Sequence, residues 1–214
     1  MPSFPQLTFA DRCIIALDAA VGTVFQRRAS TSRAYPAGDE HSELSESERR
    51  HSAGLMRVNH AGEIAAQALY NGQALIARDT AVREHLYNAA NEENDHLAWC
   101  ERRLSELHSR ASLLAPLWYC GSLGIGALAG AIGDRWSLGF IAETEKQVVA
   151  HLDGHFEALP KNDASSRKIV HQMREDEQRH AQDAITAGGK TLPWPVQRLM
   201  EFTAKIMTTT AYYL

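Results

Sequence analysis

Apolar positions recur at helical spacing along most of the chain, and no stretch alternates as a β-strand does. The apolar positions within residues 8–28 predict a short amphipathic helix. Ser, Thr, Pro and Gly dominate residues 29–42, which predicts a linker or mobile loop. We therefore expect an N-terminal helix with a flexible linker over residues 1–44, followed by one helical domain over residues 45–214.

Capping and turn signals divide residues 45–214 into helices. Ser45 with Glu48 is typical of a capping box, and Asp79 and Asp163 stand where two further helices begin. The predicted elements are helix A over about 45–78, helix B over about 80–108, helix C within 116–158, helix D over about 164–187, and a last helix after Pro193 and Pro195. The expected fold is all-α, a four-helix bundle with extra N- and C-terminal helices.

Three Glu-x-x-His pairs lie on these helices: Glu48/His51, Glu93/His96 and Glu177/His180. Each pair puts both side chains on one helix face, but single matches arise by chance in a chain with ten histidines. The position of each residue along the bundle axis is more specific evidence than the motif itself. Glu63 precedes the turn at Asp79 by about as many residues as Glu93 and His96 follow it. At about 1.5 Å per residue, all three lie about 24 Å from that turn.

The second hairpin repeats this arrangement. Glu145 precedes the turn near Lys161, and Glu177 and His180 follow it at matching distances. Each half of the chain thus carries a Glu about thirty residues before a Glu-x-x-His pair. The ferritin-like di-iron and di-manganese bundles use this ligand set. Oxygen and imidazole donors favour Fe or Mn. The predicted metal ligands are Glu63, Glu93, His96, Glu145, Glu177 and His180.

Other polar residues near this constellation receive weaker interpretations. Glu48 and His51 lie about 22 Å from Glu63 along helix A, so we interpret them as a solvated pair at the helix start. His60 and His151 are candidates to orient a metal ligand. For His155 we favour a solvent-facing position.

Two acidic residues and a cysteine flank the helix B ligands. Glu92 and Asp95 are expected to point away from the site, and Cys100 is expected in the core.

Residues 111–133 contain no charged side chain and five glycines. One unbroken helix from Pro116 to Ala158 would be about 64 Å long, so we predict a break near Gly124–Gly133. Our preferred interpretation is an apolar surface that contacts the membrane and leads toward the metal site. The alternative is a Gly-rich contact between helices, or a dimer interface through small residues.

The composition excludes some function classes. The net charge of −4 gives no broad basic field, so we expect no nucleic-acid partner. Three cysteines without a CxxC pair argue against a disulfide framework and suit a reducing cytoplasm. The N-terminal residues do not resemble a secretory signal, because charges interrupt their apolar stretch.

Four sequence blocks resemble the demethoxyubiquinone hydroxylase family of ubiquinone biosynthesis. The blocks are RVNHAGEIAA (57–66), EENDHLAWCERRL (92–104), AETEKQVVAHL (142–152) and MREDEQRHAQDA (173–184). The resemblance covers roughly residues 45–214. It implies the same six metal ligands, and it puts a histidine that supports the ligands at His151. Some members carry an aromatic residue after that histidine, whereas Leu152 stands here.

The resemblance implies an O2-dependent di-iron monooxygenase that hydroxylates the ring of demethoxyubiquinone or demethoxyubiquinol. It implies two iron ions and a lipophilic quinone substrate. Reducing equivalents are expected to come ultimately from NADH, without a dedicated site, because the chain has no GxGxxG fingerprint. The expected location is peripheral, on the cytoplasmic face of the inner or plasma membrane. Pathway partner proteins and a homo-oligomer stay open.

Three alternatives also stay open. A ferritin-like iron-oxidising and storage protein would share the ligands but would assemble into cages. A di-iron tRNA hydroxylase would need a basic face. A lipid-binding bundle without enzymatic activity would bind no stoichiometric iron.

Overall fold

The computed structural model describes residues 8–24, 32–38 and 43–214, and every regular element in those ranges is a helix. The helices are α1 (Phe9–Val24), α2 (Glu46–Ile76), α3 (Thr80–Glu106), α4 (Ala115–Ile132), α5 (Asp134–Ala158), α6 (Ala164–Thr186) and α7 (Trp194–Tyr213). The predicted all-α class is confirmed. Residues 25–31 lie outside the described ranges, and so does the end of the first helix that we expected there.

Helices α2, α3, α5 and α6 form the four-helix bundle. The hairpin of α2 and α3 packs against the hairpin of α5 and α6, so the four inner faces share one interior. The shorter helices cover the outside: α4 lies along α2, α7 packs on α2 and α5, and α1 packs on α2 and α4. This is the ferritin-like architecture with additional helices that the sequence predicts.

The predicted helix starts are confirmed by their caps. Ser45 and Glu48 form a reciprocal capping box at the start of α2. The Asp79 side chain accepts from the backbone N–H groups of Ala81 and Val82, and Asp163 accepts from Ser166 N. These caps satisfy helix N–H groups that have no partner inside the helix.

The predicted break in helix C falls at Gly133, between α4 and α5. Its φ of +133° is a conformation that side chains other than glycine rarely adopt, so the chain can turn there. The break lets α4 fold back along α2 while α5 carries Glu145 into the bundle.

The glycines of α4 bring its backbone against α2. A Cβ on Gly126 would lie 2.2 Å from Leu69 O, and a Cβ on Gly72 would lie 2.2 Å from Leu123 O. The Gly-rich helix contact that we held as an alternative is therefore confirmed for this face of α4. The opposite face is apolar and exposed, with Leu128 and Ile132 each 70% exposed. Within the described ranges, α4 is the one helix long and apolar enough to cross a membrane.

The interpretation of Glu48 and His51 as a solvated pair is wrong for His51. Its ring is half-buried, with Nδ1 2.7 Å from Tyr212 Oη and Nε2 3.0 Å from Ala158 O. Glu48 belongs to the exposed helix cap. His51 therefore connects the start of α2 to the ends of α5 and α7 through its two ring nitrogens.

Candidate metal centre

The six predicted ligands lie on the inner faces of the four bundle helices and are all buried. Glu63 comes from α2, Glu93 and His96 from α3, Glu145 from α5, and Glu177 and His180 from α6. Burial of four carboxylates at one level is costly unless charges of opposite sign compensate them.

Glu93 and Glu177 each contact both histidines. His96 Nδ1 lies 2.9 Å from Glu93 Oε2 and 3.0 Å from Glu177 Oε1. His180 Nδ1 lies 3.3 Å from Glu93 Oε1 and 3.1 Å from Glu177 Oε2. Each carboxylate thus turns one oxygen toward each imidazole, so each could be shared between two metal positions.

The other two carboxylates differ in their contacts with this central group. Glu63 Oε2 lies 3.6 Å from His96 Nδ1, and one ligand atom from each of Glu63, Glu93, His96 and Glu177 lies within 4.8 Å of the others. Glu145 is not part of that tight group, and its Oε1 accepts a hydrogen bond from the Tyr70 hydroxyl.

The buried carboxylates and imidazoles shift one another's pKa values. Burial favours neutral imidazole, yet Glu93 and neighbouring carboxylates raise the pKa of His96 well above its ordinary value. The pKa of His180 is likewise raised, to about 12, by its contacts with Glu177 and Glu93, which outweigh burial. Burial raises the pKa of Glu63 and of Glu145. Metal cations would compete with protons for these groups.

The donor set fits two divalent cations. Four carboxylates can neutralise four positive charges, and two imidazoles complete the set with nitrogen donors. Glu93 Oε1 is buried and lies 3.3 Å from His180 Nδ1, but no contact among the described residues gives it a well-aligned hydrogen bond, so this oxygen can still accept a cation.

Two carboxylates contact the ring nitrogens of His96 and His180 that face away from the other predicted ligands. His96 Nε2 lies 3.0 Å from Asp176 Oδ2, and His180 Nε2 lies 2.9 Å from Glu92 Oε2. Such contacts fix the ring orientation of a ligand histidine. Our expectation that Glu92 points away from the site is wrong, because its side chain reaches from α3 to His180 on α6.

Sequence reasoning missed Asp176 and Tyr70. Asp176 directly precedes a predicted ligand, Glu177, but its contact with His96 depends on how α6 faces α3. Tyr70 follows Glu63 by seven residues, two turns along the same helix face, which is a signal that could have identified it.

Two histidines of α5 form a separate pair outside the predicted ligands. The rings of His151 and His155 lie 3.9 Å apart, and His151 Nε2 is buried without a hydrogen-bond partner among the described residues. His155 Nδ1 lies 2.7 Å from Asn59 Oδ1, so the expected solvent-facing position of His155 is wrong. His60 Nε2 lies 3.4 Å from Glu101 Oε1. The supporting role of His151 stays a prediction.

Cys100 is fully buried, with its sulfur 3.9 Å from the Met173 sulfur. Its expected place in the core is confirmed.

The fold and the site together define a ferritin-like bundle with a buried carboxylate and histidine centre. Comparison with known proteins identifies its family. The family model described as "Ubiquinone biosynthesis protein COQ7" matches residues 50–211. This chain belongs to that family, and the resemblance seen in its sequence blocks is confirmed.

Three relatives are each named "3-demethoxyubiquinol 3-hydroxylase". The protein of Nitrosococcus oceani is 55% identical over 210 residues, which cover 98% of each chain. That of Ralstonia pickettii is 58% identical over 189 residues, covering 88% of this chain and 85% of the relative. That of Azoarcus sp. strain BH72 is 54% identical over 203 residues, covering 94% of this chain and 98% of the relative.

Proposed function

We propose that this protein hydroxylates the ring of demethoxyubiquinol with O2 at a di-iron centre. The observation that carries the proposal is the pair Glu93 and Glu177, each of which turns its two oxygens to His96 and His180. Relatives that align with nearly the whole chain and carry the hydroxylase name supply the substrate class.

The six buried side chains divide between two metal positions. Glu63 and His96 would hold one iron ion, Glu145 and His180 would hold the other, and Glu93 and Glu177 would be shared. When bound, the iron pair supplies the redox chemistry that activates O2. In the overall reaction a ring C–H bond becomes C–OH, the second oxygen atom leaves as water, and NADH is the ultimate source of the two electrons.

The surrounding residues prepare the ligands. Asp176 and Glu92 accept from the outer nitrogens of His96 and His180, so the inner nitrogens face the carboxylates. Tyr70 donates to Glu145 and holds that carboxylate until a cation competes for it.

A narrow crevice between α2 and α5 reaches Glu145. Leu69, Tyr70 and Phe140 line it, and it has no room for a water molecule in this structure. Leu69 is also the residue against which Gly126 of α4 packs. We infer that the quinol ring enters along this crevice by displacing apolar side chains, so that the route begins beside α4.

The exposed apolar face of α4 is the proposed membrane contact, on the cytoplasmic side. Leu117, Ile125, Leu128 and Ile132 are exposed on this helix, whose other face packs on α2. Helices α1 and α7 also expose apolar residues, among them Leu17 and Phe202. These faces suit lipid, a pathway partner protein or a second copy of this chain.

Vesicle sedimentation tests the membrane contact. On vesicles of phosphatidylethanolamine and phosphatidylglycerol, Leu128→Glu should weaken binding. Ile185→Glu, at an exposed apolar position on α6, should bind as the unchanged protein does. Equal binding by all three proteins would contradict a membrane role for α4.

The quinone profile of a strain that lacks this gene tests the function. Accumulated demethoxyubiquinone that is cleared by the native chain, but not by Glu177→Ala, is the expected result. A normal ubiquinone pool in a deletion strain without a redundant hydroxylase would contradict the substrate assignment. Iron-loaded cages of many subunits would instead support the storage alternative.

A further inference from the structure

Residues 32–38 lie against the outside of the metal centre, and Arg33 in this segment reaches the carboxylate behind His96. Arg33 Nη1 donates to Asp176 Oδ2 at 2.5 Å, and Nη2 donates to Oδ1 at 3.3 Å. The same Oδ2 accepts from His96 Nε2 at 3.0 Å. We propose that Arg33 is a positioning residue that, through Asp176, sets the orientation of the His96 ring at its metal position. The inference rests on the proposed di-iron site.

The segment is fixed to the helix that carries His96, independently of Asp176. Ser32 N donates to Asp95 Oδ1 at 2.7 Å, and Ser32 Oγ donates to Asp95 Oδ2 at 2.8 Å. The Arg33 guanidinium also lies over the Trp99 ring, 4.9 Å from its centre, and that ring lies 5.3 Å from the His96 ring. Because Asp95 and Trp99 flank His96 on α3, these contacts place the guanidinium beside the turn that bears the ligand.

The planar Arg33 fork then fixes Asp176 on α6. A guanidinium with two parallel N–H groups restrains both the position and the rotation of a carboxylate, whereas a single ammonium restrains it less. The Asp176 side chain is 1% exposed, so water does not compete for its oxygens. Arg33 therefore connects α3, through the segment, to α6 at the level of the ligands.

The two ligand histidines differ in this support. Asp176 accepts from two guanidinium groups, those of Arg33 and Arg179, and is buried. Glu92, which supports His180, is 50% exposed, and the guanidinium that contacts it within the described part of the chain is that of Arg179, at 3.5 Å. Loss of Arg33 should therefore disturb the metal position at His96 and leave the position at His180 unchanged.

Anaerobic titration of the full chain with Fe²⁺, with Mössbauer spectroscopy of the ⁵⁷Fe-loaded protein, tests this inference without an activity measurement. In Arg33→Gln, the affinity for one of the two irons should fall several-fold, by less than the about 10- to 100-fold that follows the loss of a group bonded directly to a metal ligand, because Arg33 acts on His96 through Asp176. One iron signal should change, and the other should be retained. Arg33→Lys should give a smaller loss, because it keeps the charge without the planar fork.

Arg102→Gln is the matched control. The Arg102 guanidinium lies 4.0 Å over the Tyr35 ring, and its Nη2 donates to Gly38 O at 3.3 Å, so it holds the other end of the same segment. Its iron affinities should match those of the native chain.

Two results would overturn the inference: native iron affinities and spectrum in Arg33→Gln, or an equal loss in Arg102→Gln. If Arg33→Gln does not fold, a native spectrum in Arg33→Lys would overturn it as well. A native chain that binds two irons but fails the quinone test would contradict the proposed function and leave this inference standing.

Discussion

Replacement of Gly126 by alanine tests the contact that holds α4 against α2. The new Cβ would lie 2.2 Å from Leu69 O and 2.9 Å from Leu69 C and Cα, all backbone atoms that no side-chain rotation can move. An ordinary contact needs about 1 Å more at the oxygen, so the two helices must separate locally. Strain of this kind in a packed region costs about 1–3 kcal/mol.

Gly124→Ala separates this strain from helix propensity. Gly124 lies in the same helix, is exposed, and has no atom within 4 Å of an added Cβ. Both substitutions gain about 1 kcal/mol of helix propensity, so the difference between them isolates the packing contact. For a chain of this length that difference lowers the Tm of Gly126→Ala relative to Gly124→Ala by about 2 to 12 °C.

Thermal unfolding followed by circular dichroism measures the difference under one set of detergent conditions. Gly124→Ala should unfold at or slightly above the temperature of the native chain. Equal Tm values for the two variants would refute the reasoning, because α4 would then not rest on α2 as the structure has it.

Three further outcomes follow, two from the site and one from buried His155. Glu93→Ala should remove both irons, because this carboxylate faces both histidines, whereas Glu63→Ala should leave about one iron per chain by elemental analysis; equal losses would contradict the shared role. Tyr70→Phe should still bind two irons, with higher affinity at the position of Glu145, because the Glu145 carboxylate no longer has to give up a hydrogen bond. An unchanged Fe²⁺ titration would contradict this. Burial, followed by nearby histidines, lowers the pKa of His155 to about 3, so it stabilises the fold fully above pH 6.5 and loses that contribution as the pH falls toward 3. Between pH 6.5 and 5.5 the free energy of unfolding of the native chain should fall about 1 kcal/mol more than that of His155→Gln, and parallel denaturation curves would contradict it.

The sequence by itself determined the helices and the position of the six predicted ligands along the bundle. Helix caps such as Asp79 and Asp163 act through hydrogen bonds over two or three residues, so local sequence is enough to identify them. The fixed rise of a helix converts residue spacing into distance, which placed Glu63 and Glu145 at the level of the two Glu-x-x-His pairs. The length of an unbroken helix and the glycines of the segment predicted a break near Gly124–Gly133, and the structure has it at Gly133.

Contacts between distant helices were decided only by the tertiary structure. Asp176 supports His96, and Glu92 supports His180, because α6 and α3 turn particular faces toward each other. The same holds for the burial of His155 against Asn59. A helix period fixes which residues share a face but not which neighbour that face meets, so these partners depend on the packing of the whole bundle.

The apolar stretch of residues 111–133 shows the same division. Its lack of charge and its glycines predicted an apolar contact surface. They left a membrane contact and a contact with protein as alternatives. The fold assigns one face of α4 to α2, because Gly72 and Gly126 let the backbones touch, and leaves the other face exposed. Composition is a property of the whole segment, whereas burial is a property of each face, and only the packed structure separates the two.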